Sequence, residues 1–259
     1  MNVAIKDAED RIRDLITRTH IFCDWPKDMI EMLAEGAQLR RFADGERAVR
    51  SGEPSPQLAL VAKGSFICQR SQKDGSAIIF DYLMPGQATS HLAVFDGYPP
   101  VFDIVSHGES EMIFIPRKSL MAAIARDPNR LMDFILMLCR RMRLEYENVY
   151  MRTASSVRGQ IARIILYWLR GQDPNSGKLR VPVGVSQENM AAMLGKSRPT
   201  INKEIGAMIK EGILARRYRQ LEVLDVKALA GIVERESPGF LAINIPIFTK
   251  PKGVLNAAD

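Results

Sequence analysis

The spacing of apolar residues along the chain changes period several times, and each change marks a boundary. Ile5, Ile12, Leu15 and Ile16 recur at helical spacing, as do the apolar residues from Met29 to Leu33, so two amphipathic helices open the chain. From about Ala37 to Ile115 the pattern breaks into short β-rich pieces, LALVA, SFICQ, AIIFDYL and MIFIP, separated by the turn signals ADGE, SGEPSP, KDG and MPG. This predicts an antiparallel sheet closing into a roll or barrel. Helical spacing returns from Pro116 to Asp127, and Pro128 then opens a long helix to about Thr153, about 39 Å at 1.5 Å per residue.

The long helix carries Leu131, Ile135, Leu138, Met142 and Val149 in alternating three- and four-residue steps, with Tyr146 on the same stripe. A narrow apolar seam on a helix too long for one small domain predicts pairing with a second copy, a homodimer. Phe134 and Leu144, off the seam, suit packing against the roll instead. Ser155 and Ser156 break the helix, and Val157 to Leu169 forms another.

Residues 185–214, VSQENMAAMLGKSRPTINKEIGAMIKEGIL, read as two short helices around a tight turn. Ser186 caps the first, which turns Met190, Ala191 and Leu194 inward. Gly195-Lys196-Ser197 forms the turn, where glycine permits a left-handed backbone and Ser197 caps the second helix. Pro199 sits in the first turn, where a missing N–H costs little. Ile201, Ile205 and Ile209 mark one side, which leaves Arg198, Asn202 and Lys203 on the other. An ordinary helical hairpin with solvated charges is the alternative. The next segment, ARRYRQLEVLDV, crowds Arg216, Arg217 and Arg219 into a turn between apolar pieces, as the wing of a winged helix would, where cations reach phosphates beside the major groove.

Charge sharpens this reading. Residues 152–220 hold 13 Lys/Arg against 4 Asp/Glu, a local excess of +9 within a net charge of +6, so the remainder is slightly acidic. A basic tract confined to one region is the electrostatic footprint of a nucleic-acid module, with a solvated basic surface as the alternative, and with helix and wing it points to double-stranded DNA. The candidate contacts are Ser186, Gln187, Lys196, Ser197, Arg198, Thr200, Asn202, Lys203, Arg216, Arg217 and Arg219. With 46% hydrophobic residues in 259, the chain can build two cores. Cys23, Cys68 and Cys139 form no CxxC pair, which argues against a disulfide framework or a cysteine-held cluster and for buried thiols. No signal peptide is evident and no apolar run approaches the roughly 18 residues that span a bilayer, which predicts a cytoplasmic protein without membrane contact.

The fold expected is α+β. Residues 1–127 form an antiparallel β-roll (a double-stranded β-helix, jelly-roll-like) with N-terminal helices, 128–154 the dimerisation helix and hinge, 155–231 the winged helix-turn-helix, and 232–259 an apolar extension. In that extension Phe240, Leu241, Ile243, Ile245, Ile247 and Phe248 are too apolar for a solvated end. Docking on its own domain or on a partner subunit is the default, and contact with RNA polymerase the sharper alternative.

Taken in order, these parts resemble the CRP/FNR family of bacterial transcription regulators over roughly residues 10–230. Gly52-Glu53 followed by Leu60-Val61-Ala62-Lys63-Gly64-Ser65 is similar to the family's turn-and-strand signature, and Asp74-Gly75 with Tyr82-Leu83 and Pro85-Gly86 resembles the next. Leu194-Gly195, Ser197-Arg198, Thr200 and Glu211-Gly212-Ile213-Leu214 match the helix-turn-helix and its exit. The resemblance implies a cyclic-nucleotide-binding-like roll, a dimerising helix and a winged helix on a two-fold-symmetric operator, without catalysis.

Departures from the family pattern are informative. Cyclic-nucleotide binders of the family hold the phosphate with an Arg-Ser pair and the ribose with a glutamate. Alignment from Pro85-Gly86 and Phe95 puts His91 at the glutamate position and Val101-Phe102 at the Arg-Ser position. No Lys or Arg stands between Lys73 and Arg117, and a buried cyclic phosphate without a cation would be an uncompensated charge. Cyclic AMP is therefore not expected as the ligand. The candidate effector contacts are His91, Leu92, Val101 and Phe102, beside Val94 and Phe95, with an apolar or aromatic effector, or plain core packing, left open. His91 and His107 form no HxH pair and have no cysteine nearby, which points to structural histidines and to no metal or cofactor. In the recognition helix, Arg198 matches the family's guanine-reading arginine, whereas Pro199 replaces an acidic residue and Lys203 a second arginine, losing a bidentate fork. Two further readings are a sensor that binds a non-nucleotide effector without using DNA, and a cupin-like enzyme that would need a metal in the roll.

Overall fold

The computed structural model describes residues 2–71, 77–169, 179–181, 185–217 and 220–238. The chain divides into two units, residues 1–137 and 138–259. The division falls inside the long helix rather than at Pro128 or Ser155, where the sequence pattern changes.

The first unit begins with helices α1 (Asn2–Thr17) and α2 (Lys27–Ala34). Strands β1 (Gln38–Phe42), β2 (Arg47–Val49), β3 (Gln57–Ser71), β4 (Ala77–Leu83) and β5 (Ala88–Thr89), helix α3 (His91–Asp96), strand β6 (Asp103–Pro116) and helix α4 (Arg117–Arg126) follow. The strands form one antiparallel sheet in the order β1-β6-β3-β4, with β2 on β6 and β5 on β3. LALVA and SFICQ, read as separate pieces, are the two halves of β3. The strand stays continuous by bending at Gly64, whose φ is +76°, and its register on β6 shifts on either side. A Cβ there would lie 2.3 Å from Ser110 Oγ and 2.8 Å from the Glu109 carbonyl oxygen, so only glycine fits.

Both faces of the central strands are buried, so β3 reads as an apolar run and not as an alternation. Leu58, Leu60, Ile113 and Ile115 pack with Ile16, Phe22, Met29, Leu33 and Leu120 beneath the helices. Ala59, Val61, Phe66, Met112 and Phe114 pack with Phe42, Val49, Leu83 and Ile104 inside the roll. A 3-10 turn, Pro128–Arg130, leads into α5 (Leu131–Ala154). Phe134 is buried as expected, its ring edge-on to Phe22, Trp25 and Phe95, while Leu144 lies in the second unit. Along the predicted seam Ile135 is 42% exposed, Met142 58%, and Tyr146 and Val149 67%, with Leu131 also exposed and Leu138 half-buried.

In the second unit, α6 (Val157–Trp168) is followed by β7 (Leu179–Arg180), α7 (Gln187–Leu194), α8 (Arg198–Lys210), β8 (Leu214–Arg217), β9 (Gln220–Val223) and α9 (Val226–Glu236). The three strands form an antiparallel sheet in the order β7-β9-β8. The expected boundary at 231/232 falls inside α9, whose Ile232 and Val233 are buried, so the winged unit continues to the end of that helix. The apolar run from Phe240 to Phe248 lies outside the described residues. Of the cysteines only Cys68 is buried; Cys23 and Cys139 are exposed, against the expectation of three buried thiols, because α5 and the turn after α1 present them outward. No helix among the described residues is long and apolar enough to cross a membrane.

Candidate nucleic-acid interface

The turn between α7 and α8 is built from local hydrogen bonds that the sequence specifies. Ser186 Oγ accepts from the Asn189 N–H (3.0 Å) and Asn189 Oδ1 accepts from the Ser186 N–H (3.1 Å), a reciprocal capping box. Gly195 ends α7 in the left-handed region at φ 61°, ψ 37°, and nothing lies within 4 Å of where its Cβ would be, so backbone conformation alone selects glycine. Ser197 Oγ accepts from the Thr200 N–H (3.3 Å) and shares a hydrogen bond with Thr200 Oγ1 (2.7 Å). Ser186, Ser197 and Thr200, three of the candidate DNA contacts, thus commit their side chains to caps.

The buried face of α8 is Ile201, Ile205 and Met208; Ile209, predicted to continue the stripe, is only half-buried. A period of 3.6 rather than four rotates the stripe onto Met208. Arg198, Pro199, Asn202 and Lys203 are exposed, and Gln187, Lys196 and Thr200 half-buried. At the far end Gly212 (φ 74°) reverses the chain, and the Ile213 N–H bonds the Met208 carbonyl at 3.0 Å. The wing follows directly, with Arg216 opposite Leu221 and Arg217 opposite Gln220. Both arginines are exposed, Arg217 with its Nε 3.7 Å from Glu222; Arg219 lies outside the described residues. Helix N-terminus, exposed cations and wing are the elements that groove reading and phosphate contact require.

Two carboxylates brace this unit, Glu211, which the sequence marked only as part of the exit motif, and Glu236, which it did not single out. Glu211, at the end of α8, takes a two-pronged ion pair from Arg158 at the start of α6, with Nη1 to Oε1 at 2.7 Å. The guanidinium holds the Glu211 carboxyl below its ordinary range, and the carboxylate raises Arg158. Glu236, at the end of α9, bonds Ser156. Separations of 53 and 80 residues leave no periodic signal for either contact.

In the roll, the four candidate effector residues are dispersed in environment. His91 is buried at the start of α3, Leu92 and Val101 are about half exposed, and Phe102 lies against Phe80 with ring centroids 4.4 Å apart. Beside Phe102, the buried Asp103 accepts from the Ser51 N–H (2.9 Å) and the Ser71 hydroxyl (3.4 Å). Arg47, from outside the cation-free interval, reaches Asp103 at 3.6 Å and is paired there. Arg117 Nε donates to the Val94 carbonyl (2.7 Å). His107 is half-buried with its ring against Tyr82, and no group of three or more His, Cys, Asp or Glu among the described residues could hold a metal.

Comparison with known proteins agrees with this geometry. The cyclic nucleotide-binding domain family matches residues 39–127 and the Crp-like helix-turn-helix domain family residues 159–232. The chain is 25% identical to the CRP-like cAMP-activated global transcriptional regulator of Mycobacterium tuberculosis over 218 residues, 84% of this chain and 97% of that one. It is 24% identical to the cyclic AMP receptor protein of Thermus thermophilus over 195 residues, 75% of this chain and 88% of that one. Among solved structures, FixK2 of Bradyrhizobium japonicum shares the fold with a TM-score of 0.66 at 17% identity, over 76% of this chain and 96% of that one. A CRP/FNR-family transcriptional regulator of Thermus thermophilus gives 0.59 at 20% identity, over 77% and 100%. The chain therefore belongs to the CRP/FNR family and is a DNA-binding transcription regulator of that type.

Proposed function

We propose that the protein acts as a cytoplasmic homodimer on a two-fold-symmetric operator, that it catalyses no reaction, and that its roll does not bind cyclic AMP. The observation that carries the DNA reading is the coincidence, on one small unit, of exposed Arg198, Asn202 and Lys203 on α8 with exposed Arg216 and Arg217 on the wing. Arg198 offers a planar fork to guanine O6 and N7, Asn202 an amide to adenine, and the wing arginines meet phosphates. The exposed apolar stripe of α5, Ile135, Met142, Tyr146 and Val149, supports pairing with a second copy. Half-sites then lie about 34 Å apart, one helical turn.

The segment around residues 101–103 supports the second part. Where family members named for cyclic AMP would need a cation, this chain has Val101, Phe102 and the buried Asp103 carboxylate, with which Arg47 is already paired. A cyclic phosphate there would meet like charge. A ligand of the roll would be apolar or aromatic, contacting His91, Leu92, Val101 or Phe102; RNA polymerase is the natural protein partner. Selection of bound duplexes from a randomised pool tests the function. A palindromic consensus with a guanine in each half-site is expected, and recovery of unenriched sequence would refute it.

A further inference from the structure

The first turn of α6, immediately after the break that ends α5, is held from several sides within its own unit. Ser156 donates its backbone N–H to Glu236 Oε2 (3.1 Å) and its hydroxyl to Glu236 Oε1 (2.5 Å). The same Ser156 Oγ accepts from the Gly159 N–H (3.0 Å) as the cap of α6. The Ser155 carbonyl accepts from the buried Gln160 Nε2 (3.0 Å). A Cβ at position 159 would stand 2.0 Å from Glu236 Oε2 and 2.6 Å from its Cδ. Glycine is a poor helix former, and its presence in this turn is accounted for by the carboxylate that occupies the space a methyl would need. One residue before that glycine, Arg158 grips Glu211 at the end of α8. The start of α6 is thereby tied to the ends of both α9 and the recognition helix.

From this geometry we infer that Glu236 is a positioning residue for DNA recognition: its carboxylate latches the α5–α6 junction, and the Arg158–Glu211 pair carries that fixed junction to α8. Turning the chain at Ser155–Ser156 would break both bonds to Glu236 and uncap α6. With the latch closed, the direction in which α8 leaves its C-terminal anchor is set relative to the junction. With it open, α8 samples a wider range of orientations. Base contacts, which need a fixed fork, suffer more than phosphate contacts, which tolerate reorientation.

The inference rests on the DNA-binding reading, and its test separates the two. The probes are a duplex selected by the wild-type protein and a scrambled duplex of equal length and composition, with the full chain. Glu236→Ala should weaken the selected duplex about tenfold, the scale of charge-assisted hydrogen bonds lost from one group, and the scrambled duplex less than about twofold. Glu236→Gln, which still accepts from Ser156, should recover most of the loss. Gly159→Ala should reproduce the loss in the wild-type background and add nothing in Glu236→Ala, since its methyl collides only with that carboxylate. Hydrogen exchange at the Ser156 and Gly159 amides, measured without DNA, should quicken in both single variants; this arm judges the latch even were DNA binding absent. Additive effects of the two substitutions, equal losses on both duplexes, or unchanged exchange would overturn the proposal.

Discussion

The winged unit and the β-roll keep their family's architecture in different ways. In the winged unit both layers keep their character: Ile201, Ile205 and Met208 face the core, and Arg198, Asn202 and Lys203 face outward with the wing arginines, cationic still although Lys203 stands for an arginine. In the roll only the inner layer does. Phe42, Phe66, Met112 and Phe114 fill the interior and Gly64 makes the tight bend, while the segment proposed to face a ligand carries Val101, Phe102 and a buried Asp103. Fold therefore resides in cores and a few left-handed glycines, and ligand choice in a handful of side chains exchangeable without disturbing them.

The helix that joins the two regions offers the largest test. Ile135 is already exposed in the single chain, so Ile135→Glu leaves its own fold intact but sets an unpaired charge in the dimer contact, at about 3–5 kcal/mol. Light scattering should report monomers and operator binding should collapse; a persisting dimer would move the interface elsewhere.

Glycines sharpen the comparison next. Gly64→Ala meets Ser110 and the Glu109 carbonyl at a positive φ, and should destabilise the roll by about 3 kcal/mol or more. Gly195→Ala, with open space around its Cβ, should cost only the left-handed backbone, about 1–2 kcal/mol. Trp25 lies in the first unit and Trp168 in the second, so single-tryptophan variants followed by fluorescence during unfolding report the two losses separately.

The alkaline pH effect expected here belongs to the roll. Burial pushes the Tyr82 phenol up to about 12. The unfolded phenol ionises near pH 10, so stabilisation present below about pH 10 is lost as pH rises toward 12, about 3 kcal/mol in all. Tyr82→Phe should flatten that alkaline slope in denaturant titrations, and a slope unchanged by the substitution would assign it to other groups. The smallest expected signal is none at all: cyclic AMP and cyclic GMP at micromolar concentration should give no saturable heat in calorimetry and leave operator affinity unchanged. Stoichiometric binding would show that the cassette finds a cation the Asp103–Arg47 pairing does not suggest.

Local rules made much of this legible from sequence. Ser186, Gly195 and Ser197 announce caps and a turn through bonds spanning three or four residues, and the alternating steps in α5 announce an apolar stripe that the single chain leaves exposed. What escaped was long-range. The bend at Gly64 depends on Ser110, 46 residues away, so one strand was read as two. Arg47 meets Asp103 from a different strand, so counting cations in the interval after Lys73 missed it. Glu211 and Glu236 find their partners only once α6, α8 and α9 pack. Met208 replaced Ile209 on the buried face because the exact helical period outweighs residue type.

The central claim is that α8 reads bases while the wing holds phosphates, and paired variants on two DNAs test it most directly. Arg198→Ala should lower affinity for the selected duplex by roughly 1–3 kcal/mol and relax the preference for guanine at one position, because a bidentate pair is lost. Arg217→Ala should weaken selected and random duplexes alike and reduce the salt slope by about one. Equal losses on both DNAs from Arg198→Ala, with the guanine preference intact, would contradict the account and place base reading elsewhere on the molecule.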